Sequence, residues 1–249
     1  MVDTHCHIYG EYYDDIPKLI EDIKAAGVNK IIVNGCNMSS NVEVLKLVKE
    51  FDIVYGALGF HPTELEDDSE ECIKWLEEHL CDDKIVAIGE IGLDYHYDGY
   101  DKNKQINIFK RQLELASKYK KPVIVHSRDA IQDTYDIMSN YKLNGSIHSF
   151  SGSLEMALEF IKKGYYIGIG GVCTFKNAKN IVNVINSINL EYILLETDSP
   201  YLSPEPFRGK TNSPCNIPII AKKISEIKGV ELSEVIKTTT KNANDLFDF

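Results

Sequence analysis

The chain opens with Asp3-Thr4-His5-Cys6-His7, two imidazoles separated by one residue. On an extended strand such a pair projects to one side and can chelate a single ion. Of the seven histidines, five, at 5, 7, 61, 126 and 148, fall at or just beyond the carboxyl end of a short apolar run. One such histidine reads most simply as a hydrogen-bonded core or loop residue, but five in the same relation to their strands point to a shared site. Two carboxylates join them. Gly89-Glu90-Ile91-Gly92-Leu93-Asp94 sets Glu90 at a strand end among glycines that let backbone and ligand approach, and Glu196-Thr197-Asp198-Ser199-Pro200 sets Asp198 after Ile193-Leu194-Leu195. Asp198 would ligate a metal, take a proton from metal-bound water, or do both in turn. His5, His7, Glu90, His126, His148 and Asp198 suffice for two divalent ions, with Glu90 able to bridge them. Nitrogen-rich ligation suits zinc and admits manganese.

For residues so far apart in sequence to converge, the elements carrying them must point the same way. Strands are expected at residues 2–6, 30–34, 53–57, 85–90, 123–126, 146–148, 165–169 and 193–196. Between them lie amphipathic stretches such as 15–26, 40–51, 69–80, 104–119 and 154–163. Pro17 suits a first helical turn, Gly27 and Gly164 suit carboxyl-terminal caps, and Asp68 precedes Glu71 at capping-box spacing. From Ile217 onward the sequence reads as two helices, the second ending near Leu246. Strict βα alternation implies a parallel sheet, and eight units in 249 residues favour closure into a single-domain α/β barrel, the (β/α)8 TIM barrel, over an open doubly wound sheet. The nucleotide-binding open sheets lose further support, because neither GxGxxG after the first strand nor GxxxxGK[ST] occurs. In a parallel barrel all strand carboxyl ends share one mouth.

Composition limits the partners. Hydrophobic residues at 43% and charged residues at 26% are those of an ordinary globular protein, and no apolar run approaches the length of about 20 residues that spans a bilayer. Met1 leads directly into Val2-Asp3-Thr4 without a basic leader or apolar signal, so a cytoplasmic location is expected and no membrane partner. The six cysteines are scattered in a chain too large to need staples, so they are expected as thiols, and the absence of any CxxC pair excludes a zinc ribbon. A net charge of -11 disfavours an extended basic surface, so a polyanion would have to be drawn in locally by metals and a few cations. The three arginines stand at 111, 128 and 208; Arg128 follows His126 by two residues and Arg208 lies beyond the last strand beside Lys210. Both are candidate phosphate contacts, since a guanidinium can hold two phosphate oxygens. Tyr95, His96 and Tyr97 could stack on a base or pack a loop, and His79, within a helical stretch, is expected at the surface.

The blocks DTHCH (3–7), GFHP (59–62), GEIGLDY (89–95), HSRDA (126–130), HSFSG (148–152) and ETDSPYLSP (196–204) together resemble TatD-type metal-dependent hydrolases of the amidohydrolase superfamily. They run in that family's order from first strand to last. The resemblance implies a (β/α)8 barrel with His5, His7, Glu90 and Asp198 around one metal and Glu90, His126 and His148 around the other. It separates the chain from amidohydrolases that bridge their metals through a carboxylated lysine, for none stands at the fourth strand's end. The implied activity is that of a 3′-to-5′ exodeoxyribonuclease on single-stranded DNA. It would use two zinc, manganese or magnesium ions, no organic cofactor, and a monomer. Asp198, Glu90 and His61 are the candidate catalytic residues, His61 as an acid or a contact to the scissile group, and Arg128, Arg208 and Asn212 the candidate substrate contacts. One departure bears on specificity: the stretch that commonly resembles RGKRNEP reads Arg208-Gly209-Lys210-Thr211-Asn212-Ser213-Pro214 here. Two alternatives stand beside this: hydrolysis of another ester, lactone or aminoacyl bond, and a nucleic-acid-binding protein that keeps metals without turnover.

Overall fold

A computed structural model describes residues 1–64 and 70–249. In chain order its elements are β1 (Val2–Cys6), α1 (Ile16–Ala25), β2 (Lys30–Asn34), α2 (Met38–Glu50), β3 (Val54–Leu58), α3 (Glu70–His79), β4 (Ile85–Asp94), α4 (Lys102–Tyr119) and β5 (Val123–Arg128). They continue with α5 (Ile131–Met138), β6 (Gly145–Ile147), α6 (Leu154–Lys162), β7 (Tyr165–Ile169), α7 (Lys179–Ser187), β8 (Ile193–Leu195), α8 (Ile217–Lys228) and α9 (Leu232–Phe247). Every strand pairs parallel to the next, in the order β1 to β8. The ring closes at the mouth through the His5 carbonyl, which accepts from Asp198 N at 2.9 Å, and His7 N, which donates to the Ser199 carbonyl at 2.7 Å. The chain is therefore a (β/α)8 barrel.

Strand alternation sorts the core. In β2, Ile31 and Val33 pack outward with Ile20 and Ile23 of α1 and Val44 and Val48 of α2, whereas Ile32 points inward. Inside, Val2, Ile32, Ala57, Ala87, Ile124 and Leu194 form a second cluster with Ala243, Leu246 and Phe247 of α9, which closes the barrel away from the histidines. Helix ends follow the local chemistry. Asp15 caps α1 by accepting from Lys18 N with Pro17 in the first turn, and Gly27 and Gly164 take φ of 81° and 91° beyond helix ends. The expected Asp68–Glu71 capping box lies outside the described residues. Among the described residues no helix is long and apolar enough to cross a membrane.

Strand ends differ from the sequence expectation where the mouth is built. β4 runs on to Asp94 because Gly92, at φ 146°, lies against the His126 backbone where a Cβ would collide, and Gly92, Leu93 and Asp94 pair with His126, Ser127 and Arg128. β6 and β8 stop at Ile147 and Leu195, so His148 and Glu196 lie just past the ladder. The register shifts between Asp3 and Cys6 and between Ile88 and Ile91, beside His5 and Glu90, so bulges re-aim the side chains there.

The β1–β8 seam is held from inside by Asp3, fully buried, whose Oδ1 accepts from His5 N at 3.1 Å and Thr197 N at 3.0 Å and whose Oδ2 accepts from Thr197 Oγ1 at 2.5 Å. Asp3→Ala leaves those donors buried without an acceptor and is expected to cost about 2–4 kcal/mol of folding stability. Thr197→Val should cost less, and the double variant less than the sum, since both remove one network. Urea unfolding of the three variants checks this; additive losses would show that the seam does not act as a unit.

Candidate metal centre and active-site cavity

Seven side chains from six strands and their ends converge on the mouth: His5 in β1 and His7 just after it, His61 after β3, Glu90 in β4, His126 in β5, His148 after β6 and Asp198 after β8. His5 Nε2 and His7 Nε2 face each other at 3.1 Å. Glu90 Oε2 lies 3.3 and 3.5 Å from them, and Asp198 Oδ1 3.7 and 3.6 Å. A tetrahedral ion with ligands at about 2.0–2.1 Å has ligand–ligand edges of about 3.3 Å, so these separations match the spacing of one zinc-sized shell. His7 Nδ1 donates to the Asn34 carbonyl at 3.0 Å, which turns Nε2 toward the cluster, and the Tyr9 hydroxyl donates to the same carbonyl.

The other oxygen of Glu90 faces a second group. Oε1 lies 2.9 Å from His126 Nδ1, 3.5 Å from His61 Nε2 and 3.8 Å from His148 Nε2. The opposite edges of two of these rings rest on carboxylates. His126 Nε2 is 3.1 Å from Asp94 Oδ2, and His148 Nδ1 is 3.2 Å from Glu196 Oε1, which also accepts from Ser149 N at 2.5 Å. His148 stacks on His5 with ring centroids 3.5 Å apart and places Nε2 3.7 Å from Asp198 Oδ1.

Electrostatics decide what this cluster accommodates. Burial lowers His5 to about 4, with the neighbouring His148 acting in the same direction, so His5 is a neutral donor at neutral pH. Burial alone would raise Glu90, but His5 and His61 outweigh it and hold the carboxyl well below its usual range; for Asp198 burial is outweighed by His148 and His7. His148, which burial would depress, is pushed up to about 9 by Glu196 and Asp198. The buried His5 Nδ1 has no hydrogen-bond partner. Burial would also depress His7 and His126, but Cys36 and Asp198 raise His7 well above its usual value and Asp94 and Glu90 raise His126, so with His148 three of the imidazoles are drawn toward protonation by the groups around them. Carboxylates that gather protons on neighbouring imidazoles form a donor set that a cation would complete in place of those protons. The residues present fit a divalent metal: His5, His7 and Glu90, then His5, His148 and Asp198, then His61, Glu90 and His126 each bring their donor atoms within 4.8 Å of one another.

Above this floor opens a cavity of about 700 Å³, lined by Tyr12, Glu64, Tyr97, Arg128 and Tyr201 among others. Arg128 reaches it, its guanidinium 5.3 Å from the Tyr97 ring centroid and Nη1 donating to the Tyr97 hydroxyl at 3.3 Å. Arg208 and Asn212, read from sequence as substrate contacts, do not join it. The Arg208 guanidinium lies over the Phe175 ring at 4.4 Å, outside the cavity lining. Asn212 is fully buried, its Nδ2 donating to the Thr197 and Tyr201 carbonyls and its Oδ1 accepting from Ser213 N and Asn216 Nδ2, so it folds the loop after β8. Of the aromatic trio, Tyr95 stacks on Tyr100 and His96 pairs with Asp129, whereas Tyr97 faces the cavity. His79 packs on Trp75 at the α3 end. All six cysteines are thiols. Asp94, Glu196 and Asn34, which back the histidines, carried only the signal of polar residues closing apolar runs.

A barrel with imidazoles and carboxylates gathered at its strand ends has the build of a metal-dependent hydrolase. Residues 2–248 match the family model described as TatD related DNase, and the chain belongs to that family. It is 39% identical over 251 residues to the metal-dependent hydrolase YabD of Bacillus subtilis, covering 99% of this chain and 98% of that protein. To the metal-dependent hydrolase YcfH of Escherichia coli K12 it is 34% identical over 254 residues, covering 99% and 95%. The crystal structure of YjjV, a TatD homologue from Escherichia coli K12, superposes with a TM-score of 0.96 at 32% identity, covering 100% of this chain and 98% of that one.

Glu196→Gln keeps the size of the side chain but removes the charge behind His148, and metal affinity is expected to fall about 10- to 100-fold. Glu90→Ala, which removes both inward oxygens, should lower the metal content of the protein most. Chelator competition and elemental analysis, with circular dichroism to confirm folding, check both; undiminished metal in Glu90→Ala would remove it from the ligand set.

Proposed function

We propose that this metal-dependent hydrolase is a deoxyribonuclease that hydrolyses phosphodiester bonds at single-stranded DNA ends, using two divalent ions that share Glu90. The observation that carries this reading is the division of the Glu90 carboxylate, with Oε2 toward His5 and His7 and Oε1 toward His126, His61 and His148. The description of the matching family, TatD related DNase, supports the substrate class. Divalent ions in such a set supply Lewis acidity toward phosphate oxygens and lower the pKa of water.

The protein's own groups do the rest. Asp198, ionised and lining the cavity, accepts a proton from the attacking water. Burial keeps His61 below its usual pKa, so its neutral ring orients the scissile group or serves as a further ligand. Arg128, held against Tyr97 at the cavity, grips a neighbouring phosphate by its planar fork.

The test is cleavage of end-labelled single-stranded DNA, duplex DNA, RNA and a panel of simple esters by protein reconstituted with manganese, magnesium or zinc. Single-stranded DNA should be cut fastest, and a strong chelator should stop the reaction; chelator-resistant cleavage, or turnover of esters alone, would overturn the reading. Arg128→Lys should lower kcat/KM on DNA about ten- to a hundredfold while sparing any small neutral ester that the protein hydrolyses.

A further inference from the structure

The walls of the cavity are electrically lopsided. Among the described residues that line it, Arg128 is the one lysine or arginine. It stands at the end of β5, four strands round the ring from β1, and therefore across the mouth from the β1 and β8 loops. Glu11, in the loop after β1, lies on that opposite side, and Glu43 on α2 and Glu64 in the loop after His61 continue the acidic wall round the ring toward β3. Two of these are fixed in place: Glu43 Oε1 accepts from Gly10 N at 2.7 Å, and Glu64 Oε2 accepts from Asn37 Nδ2 at 3.3 Å. Beside them Tyr12 and Tyr201 join hydroxyls at 3.1 Å, and Tyr201 exposes half of its surface to the cavity.

A polynucleotide lying across the metal floor would have to carry phosphates out over both walls. Over Arg128 and Tyr97 that is favourable. Over Glu11, Glu43 and Glu64 each phosphate would meet carboxylates with no cation between them, and like charges so placed are a strong bar to a wrong partner. A terminal nucleoside meets no such bar: it brings an aromatic base for Tyr12 and Tyr201 and hydroxyls that donate to carboxylates, but no further negative charge. We infer that this acidic wall is a terminus gate, admitting one uncharged, hydroxyl-ended nucleoside beyond the scissile phosphate and excluding a continuing or phosphate-ended chain, while the rest of the strand leaves over Arg128.

The inference rests on the nuclease reading and explains why cleavage would be confined to ends. Its test compares three single-stranded DNA substrates of one sequence: linear with hydroxyl ends, linear with phosphates on both ends, and circular. The parent protein should cut the hydroxyl-ended strand at least about tenfold faster than the phosphate-ended one and leave the circle intact. The triple variant Glu11→Gln/Glu43→Gln/Glu64→Gln removes the charge and keeps one acceptor oxygen at each of these positions; it should bring the linear rates within about threefold of each other and begin to open the circle. Phosphate-ended or circular DNA cut by the parent as fast as the hydroxyl-ended strand would overturn the gate alone, as would a folded, metal-loaded triple variant with the parent's full discrimination. If no DNA is cut by metal-loaded parent protein, the nuclease reading fails and the gate falls with it.

Discussion

Burying several carboxylates and imidazoles within a few ångströms of one another is tolerable only if their charges cancel, and the architecture of the mouth follows from that requirement. Glu90 is 3% exposed and Glu196 not at all, so neither can be stabilised by bulk water. Each is instead surrounded by imidazoles or backbone donors, and the register shifts in β1 and β4 put the side chains at the angles this needs. The residues behind the donors matter as much as the donors. Asn34 and Asp94 hold one ring nitrogen of His7 and His126, and Glu196 sets a carboxylate 3.2 Å behind His148 Nδ1.

The barrel was legible in the sequence because its signal is repeated: short apolar runs ending in His5, Glu90, His126 and His148 recur with helical stretches between them. The convergence of those ends was legible too, since parallel strands in a ring permit only one mouth. Local pattern could not tell a residue that faces a substrate from one that ties down a loop. Asn212 and Arg208 look alike in sequence, polar and following the last strand, yet tertiary hydrogen bonds bury one and an aromatic ring holds the other outside the cavity. Glu196 and Asp198 share a similar ambiguity. They are two residues apart, but Asp198 adopts φ 55°, so simple strand alternation does not continue through it.

The same physical parts divide labour across the molecule. The strand ends supply the donor set, while the surrounding rim carries other chemistry: Arg128 at the end of β5 with Tyr97 on one side, Glu11, Glu43 and Tyr201 on the other. This separation is what lets one barrel serve different substrates by loop variation.

Closure of the ring joins residues 194 positions apart in the chain, through Thr197 and Asp3. During synthesis the first strand emerges with His5 and His7 long before Asp198 exists, and a parallel ring offers that strand no final partner on its open side until β8 arrives. The nascent chain can therefore display a pair of imidazoles but cannot assemble the full constellation. The constellation can form only after β8 has been made, a built-in delay set by topology.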